Sequence, residues 1–155
     1  MKKWLFFVAC LGLVAALSGE GLAGQNVENL EPVQTVYLAA DGSKIILQTD
    51  TGSKGSGNNF EAALMNLHET TPALVFLDTA EYLLVDSRQQ HLIAAFQDLL
   101  RPSCSICMVE GQPDTEKVGL YLKVHEPKLT MKDYIAGDRD LPTLIVGQEG
   151  MQLVS

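Results

Sequence analysis

Apolar and polar positions alternate along this chain with two different periods, and the switches between them outline its elements. After a polar lead-in, residues 33–39 and 44–49 are β-rich runs separated by "ADGS", whose Asp41-Gly42 offers the positive φ of a tight hairpin turn. In "NNFEAALMNLHE" the period becomes helical. Phe60, Leu64 and Leu67, with Ala63, form one apolar face; Asn58 and Glu61 have capping-box spacing; Glu61, Asn66 and Glu69 fall on the water side. "PALVFLDTAEYLLVD" reads as two short strands around a bend at "DTAE", or one long interrupted strand.

Asp86 opens a second helical pattern, "SRQQHLIAAFQDLL", with Gln89 at the capping-box position and Leu92, Ile93, Phe96, Leu99 and Leu100 on one stripe. Pro102 ends it and leaves Arg101 at the negative helix end. "ICMVEG" is short, apolar and closed by Gly111, as a central strand would be. "DTEKVGLYLKVHEP" pulls two ways: Asp114 is a fair N-cap, while Val118, Leu120, Leu122 and Val124 alternate like a strand, and helix is the preferred reading. "LTMKDYIAG" predicts a short helix over 130–137, and "LPTLIVGQEGMQLVS" is β material. The sum is one α/β (α+β) domain with a mixed sheet, an N-terminal β-hairpin and three to four helices packed on it.

The first residues carry a different signal. Lys2 and Lys3 precede an uncharged apolar run over 4–17, and small residues follow, which is the layout of a secretory signal; the run is short for a bilayer span, which takes about 20 residues. Gly21 and Ala23 suit the small-residue positions of a signal-peptidase site, so cleavage is expected between Ala23 and Gly24. The domain then occupies 24–155 and is exported. Its charge moves from −8 to −9, because two of 11 basic and one of 19 acidic residues leave with the signal. An acidic chain without a basic stripe is a poor match for nucleic acid or anionic lipid, so membrane association is peripheral at most.

Cys10 leaves with the signal, and Cys104 and Cys107 remain in "RPSCSICMVEG" as a C-x-x-C pair. A redox dithiol needs a helix starting at the motif to lower a thiol pKa; here a helical pattern ends before it and a strand follows. In extended backbone, residues three apart lie about 10 Å apart, beyond the ~7 Å that a disulfide tolerates between Cα atoms, and their side chains point to opposite faces. Buried structural thiols are the leading reading, with a disulfide in a tight turn before the strand and redox or metal work as alternatives.

Other candidates are weaker. The glycine-serine stretch 52–57 lacks the lysine and spacing of a phosphate loop and reads as a mobile connector. His68, His91 and His125 are scattered singly, without paired spacing for zinc. Asp138 and Asp140 in "GDRDLP" read as a solvated loop, without a calcium-loop pattern. No G-x-S-x-G or H-E-x-x-H pattern occurs, so no enzyme, cofactor or metal is expected.

Several segments, in order, resemble the Ger(x)C family, the extracytoplasmic C subunits of bacterial spore germinant receptors. "VYLAADGSKIILQT" is similar to the family's paired first strands; Gly57, Glu61 and Ala62 resemble its G-x-x-x-x-E-A helix opening with one residue fewer between glycine and glutamate; Leu83, Leu84 and Val85 match an apolar strand ending. "LLRPS", "ICMVEG" and "LPTLIVGQEGMQLVS" resemble the corner, core strand and closing segment that follow. The resemblance is to the N-terminal domain alone and spans about residues 25–155. Family members open with a signal ending in L-S-G-C, whose cysteine takes a lipid; this chain reads Leu17, Ser18, Gly19 and then Glu20, a degenerate lipobox.

The resemblance implies a non-enzymatic protein that docks with the membrane-embedded and soluble subunits of a germinant receptor at the outer membrane face. An exported thiol-disulfide oxidoreductase using Cys104 and Cys107, and a secreted small-ligand-binding module, are the alternatives.

Overall fold

The computed structural model of the chain describes residues 30–155. The segment that carries the signal, the expected cleavage at Ala23 and Gly24 and the degenerate lipobox from Leu17 to Glu20 lies outside the described residues.

Alternating apolar residues build the first hairpin. Strands β2 (Thr35–Asp41) and β3 (Lys44–Thr49) pair antiparallel, closing at Asp41 opposite Lys44, and Gly42 takes φ +59° in the turn. The chain then forms β4 (Lys54–Gly57), antiparallel to β3, so the expected connector over 52–57 is in part an edge strand. Its glycines explain the difference. A Cβ on Gly55 would lie 2.3 Å from the Ala63 carbonyl oxygen, and one on Gly57 would lie 2.4 Å from the Ala63 nitrogen, so only glycine lets the helix α1 (Phe60–Thr70) lie against this strand. Local composition reads as loop; close packing makes it strand.

The cap of α1 is Asn59 rather than Asn58: its side chain accepts from the Ala62 amide at 2.8 Å. Phe60, Ala63 and Leu67 are buried on the apolar face, and truncating a buried leucine such as Leu67 to alanine costs about 2–5 kcal/mol. Asn66 leaves the expected water side to accept from the Ser56 amide at 2.9 Å, which satisfies an edge-strand donor.

The "DTAE" bend divides two strands of different fates. Strand β5 (Leu74–Phe76) pairs parallel with β1 (Leu30–Pro32) in a separate two-stranded sheet, and β6 (Tyr82–Asp86) joins the main sheet. Asp86 caps the next segment as expected, accepting from the Arg88 amide, but Ser87–Phe96 is a 3-10 helix and not an α-helix. Ile93 and Phe96 are its buried residues, and a spacing of three matches three residues per turn. Phe96 meets Phe60 edge-on, ring centroids 4.8 Å apart. Arg101 is not bound at this helix end; its guanidinium donates to the carbonyls of Thr79 at 2.9 Å and Ala80 at 3.2 Å.

Strand β7 (Ser105–Glu110) turns off at Gly111, φ +104°. Helix α2 (Thr115–Val124) is capped by Asp114, and helix α3 (Met131–Ala136) has a capping box between Thr130 and Asp133 and ends at Gly137, φ +111°. Strands β8 (Thr143–Gly147) and β9 (Gly150–Val154) form the last hairpin.

The main sheet runs β4-β3-β2-β6-β7-β8-β9; β2, β6, β7 and β8 are parallel, and the outer strands are antiparallel to their neighbours. It is a mixed seven-stranded sheet in one α/β domain, with helices on both faces. Strand β6 shows why its sequence is nearly unbroken apolar: Leu83 and Val85 pack beneath α1 and the 3-10 helix, while Tyr82 and Leu84 pack beneath α2.

Candidate functional site

Cys104 and Cys107 are divided by the sheet. Cys104, just before β7, belongs to the core on the α1 side with Ile106, and Cys107, within β7, belongs to the core beneath α2 with Val118 and Leu122. Both thiols are free and buried. Burial pushes the Cys104 thiol up to about 12, with Arg101 pulling it down and Glu81 adding to the rise; burial, and then the charge of Cys104, pushes Cys107 to about 12 as well. At pH 7 such a thiol is thiolate in only about one molecule in 10⁵, whereas redox and metal chemistry use the thiolate.

The other sequence candidates stand apart. His68, His91 and His125 are exposed on three different segments, and His125 stacks on Tyr121, 4.2 Å between centroids. Asp138 and Asp140 are exposed, with Arg139 between them lying 3.9 Å over the Tyr134 ring. Among the described residues, no three His, Cys, Asp or Glu side chains converge for a metal ion. No helix among them is long and apolar enough to cross a membrane.

Open α/β sheets commonly take ligands at the carboxyl ends of their parallel strands. Here that end of β6 carries a surface ion pair: Arg88 donates from Nε and Nη2 to both oxygens of Asp86, at 3.0 and 2.8 Å, and reaches the Ala40 carbonyl. The Arg88 hydrogen bonds hold the Asp86 carboxyl below the usual range, and burial, then Asp86, raises the nearby Tyr37 phenol.

The opposite end, where parallel strands begin, is open. A cavity of about 300 Å³ is lined by Glu81, Tyr82, Arg101, Ser103 and Glu126. Glu126 also lines a second cavity of about 380 Å³, with Leu129, Pro142 and Leu153 among its apolar walls and Lys128, Asp138 and Asp140 among its charges. These residues come from the starts of β6, β7 and β8, the end of β9 and the loops beside α2 and α3, and no motif links them in sequence. The single signal in the sequence was the pair Asp138 and Asp140, which reads as a solvated loop until Glu126 is brought beside it.

The fold and this end of the sheet define an α/β domain with a charged surface groove and a sealed thiol pair. No family model, curated protein or solved structure matches the chain.

Proposed function

We propose that this chain is an exported, non-enzymatic domain that works by docking to partner proteins at the outer face of a membrane. The observation that carries this reading is the separation of Cys104 and Cys107 onto opposite faces of the sheet, both buried, which removes the only redox-spaced pair from the surface. Among the surface cavities of the described residues is a groove lined by charged side chains. The order of segments similar to the Ger(x)C family supports a setting in germinant response, with the membrane-embedded and soluble subunits of a receptor as partners.

The test is cross-linking in a spore-forming host of a tagged copy to its neighbours, with germination scored in a deletion strain. Capture of receptor subunits and slowed germination are expected; unchanged germination with no membrane complex captured overturns the reading. Insulin reduction separates it from the oxidoreductase alternative, because a docking domain gives no turnover and keeps its partners in Cys104→Ser.

Export is part of the proposal. The "LSGE" sequence supports a mature protein without lipid, released by cleavage between Ala23 and Gly24. Intact mass of the exported chain is expected to show no lipid increment, and Glu20→Cys is expected to move it from medium to membrane. Retention of the wild type in the cytosol refutes export.

A further inference from the structure

The two cavities at the open end of the sheet adjoin through Glu126, and their chemistry is unbalanced. Among the lining residues Glu81, Glu126, Asp138 and Asp140 outnumber Arg101 and Lys128, and Glu81 also accepts from Gln34 Nε2 at 3.2 Å. Arg101 is already committed: the Thr79 and Ala80 carbonyls hold its guanidinium, and its Nη2 lies 3.8 Å from Glu81. The groove is therefore an anionic surface on a chain whose formal charge is −8.

Tyr82 supplies the groove with an uncharged hydrogen-bonding group. It is 5% exposed and packs with the core beneath α2, yet it lines the first cavity, and no described residue hydrogen-bonds its hydroxyl. The hydroxyl itself is reached by solvent, since among the described residues Thr35 Oγ1 is the one side-chain polar atom buried without a partner, so an incoming donor can reach it. Burial, then the charges of Glu81 and Glu126, raises its pKa, so the phenol stays neutral and keeps its lone pairs for an incoming N–H. In the second cavity Leu129 and Pro142 are buried and Leu153 is half-buried, an apolar wall suited to the methylene stem of a long basic side chain, with Asp138 and Asp140 exposed to meet its charged head.

We propose that this groove is the docking surface for a basic segment of a partner protein, an extended stretch that places one Lys or Arg side chain in each cavity. This rests on the docking reading above. Side chains two residues apart on an extended chain share one face about 7 Å apart, which suits neighbouring cavities with a common carboxylate wall. One basic group donates to the Tyr82 hydroxyl between Glu81 and Glu126; the other lies along Leu129, Pro142 and Leu153. Recognition is through side chains and not by adding a strand at this point, because the Leu153 amide already donates to the Tyr121 hydroxyl at 3.2 Å.

The test uses the mature exported chain and a fluorescein-labelled peptide, Gly-Ser-Lys-Ser-Arg-Ser-Gly, read by anisotropy, with a control carrying Glu at both basic positions. The basic peptide is expected to bind saturably, more weakly as salt is raised, and the acidic control not at all. Tyr82→Phe, which keeps the ring, and Glu126→Gln, at an exposed site, are each expected to weaken binding about tenfold while the far-UV circular dichroism is unchanged. The proposal is overturned by absence of saturable binding up to about 1 mM peptide, by equal binding of the acidic control, or by Tyr82→Phe binding like the wild type. Competition by 1,5-diaminopentane at the same concentration as the peptide also overturns it, in favour of a small-amine site. If the peptide fails while cross-linking still captures receptor subunits, the groove assignment falls and docking stands; a bound peptide with no captured subunit keeps the groove and removes the receptor setting.

Discussion

Replacing Gly55 by alanine tests whether the glycine-rich segment is an edge strand clamped by a helix or a connector that merely passes it. The new Cβ would lie 2.3 Å from the Ala63 carbonyl oxygen, 2.5 Å from the Leu67 nitrogen and 2.6 Å from the Leu67 Cβ. Nonbonded carbon contacts settle near ~3.5–4.0 Å, so α1 must retreat by about 1 Å. The oxygen and nitrogen belong to helix backbone and have no rotamer into which to escape, while Ala63 and Leu67 are fully buried. Overpacking of this kind costs about 1–3 kcal/mol, and the upper end applies because several contacts fail together. Alanine also stiffens the unfolded chain, which offsets about 0.4–1 kcal/mol, leaving a net loss of about 2 kcal/mol.

The control is Gly42→Ala, where φ is +59° and nothing lies within 4 Å of the added methyl, so only the left-handed backbone is penalised, by about 1 kcal/mol. Trp4 is the single tryptophan and falls in the expected signal, so urea unfolding of the mature chain is followed by far-UV circular dichroism. With a slope of about 2 kcal/mol per molar urea, Gly55→Ala lowers the midpoint by about 1 M. A loss below about 0.5 kcal/mol, or one smaller than that of Gly42→Ala, would refute the close-packing argument.

The thiols add an alkaline prediction. Their folded pKa values, about 12, stand above the ordinary thiol value of 9.0, so the unfolded chain loses those protons first as pH rises. Their contribution to stability is complete below about pH 9 and is lost between about 9 and 12; the two together account for a slope near 2.7 kcal/mol per pH unit in that window. In Cys107→Ala the thiol part of that slope is expected to halve, and an unchanged slope refutes it. Asp50 accepts the Gln34 and Thr35 amides at 2.9 and 3.0 Å, so Asp50→Ala is expected to destabilise by about 2 kcal/mol and Asp50→Asn by less, measured by the same unfolding assay. Tyr121→Phe frees the Leu153 amide, and hydrogen exchange there is expected to quicken about tenfold; unchanged exchange shows that the tyrosine is no guard of this edge.

Where local chemistry and tertiary context agreed, the sequence alone determined the element. Thr130 to Gly137 carries cap, box and left-handed stop within eight residues, and its helix forms as expected. Asp114 settled α2 against the alternation of Val118 to Val124, because residues 118 and 122 are also one helical turn apart and both are buried. The strand at "ICMVEG", the hairpin at Gly42 and the β character of the last residues follow from period and turn chemistry, while the pairing of those last residues into a hairpin is seen only in the structure. Opposite facing of Cys104 and Cys107 follows from the same alternation.

Tertiary structure decided the rest, wherever a residue's partner lies far along the chain. Gly55 and Gly57 read as loop until α1 packs on them, and Asn66 reads as solvated until the Ser56 amide reaches it. Arg101 looked like a helix-end charge, yet its partners are carbonyls 21 and 22 residues away. The groove is the extreme case: Glu81, Arg101, Glu126 and Asp140 carry no spacing signal, because parallel strands bring their starts together only after crossovers that the local pattern does not encode.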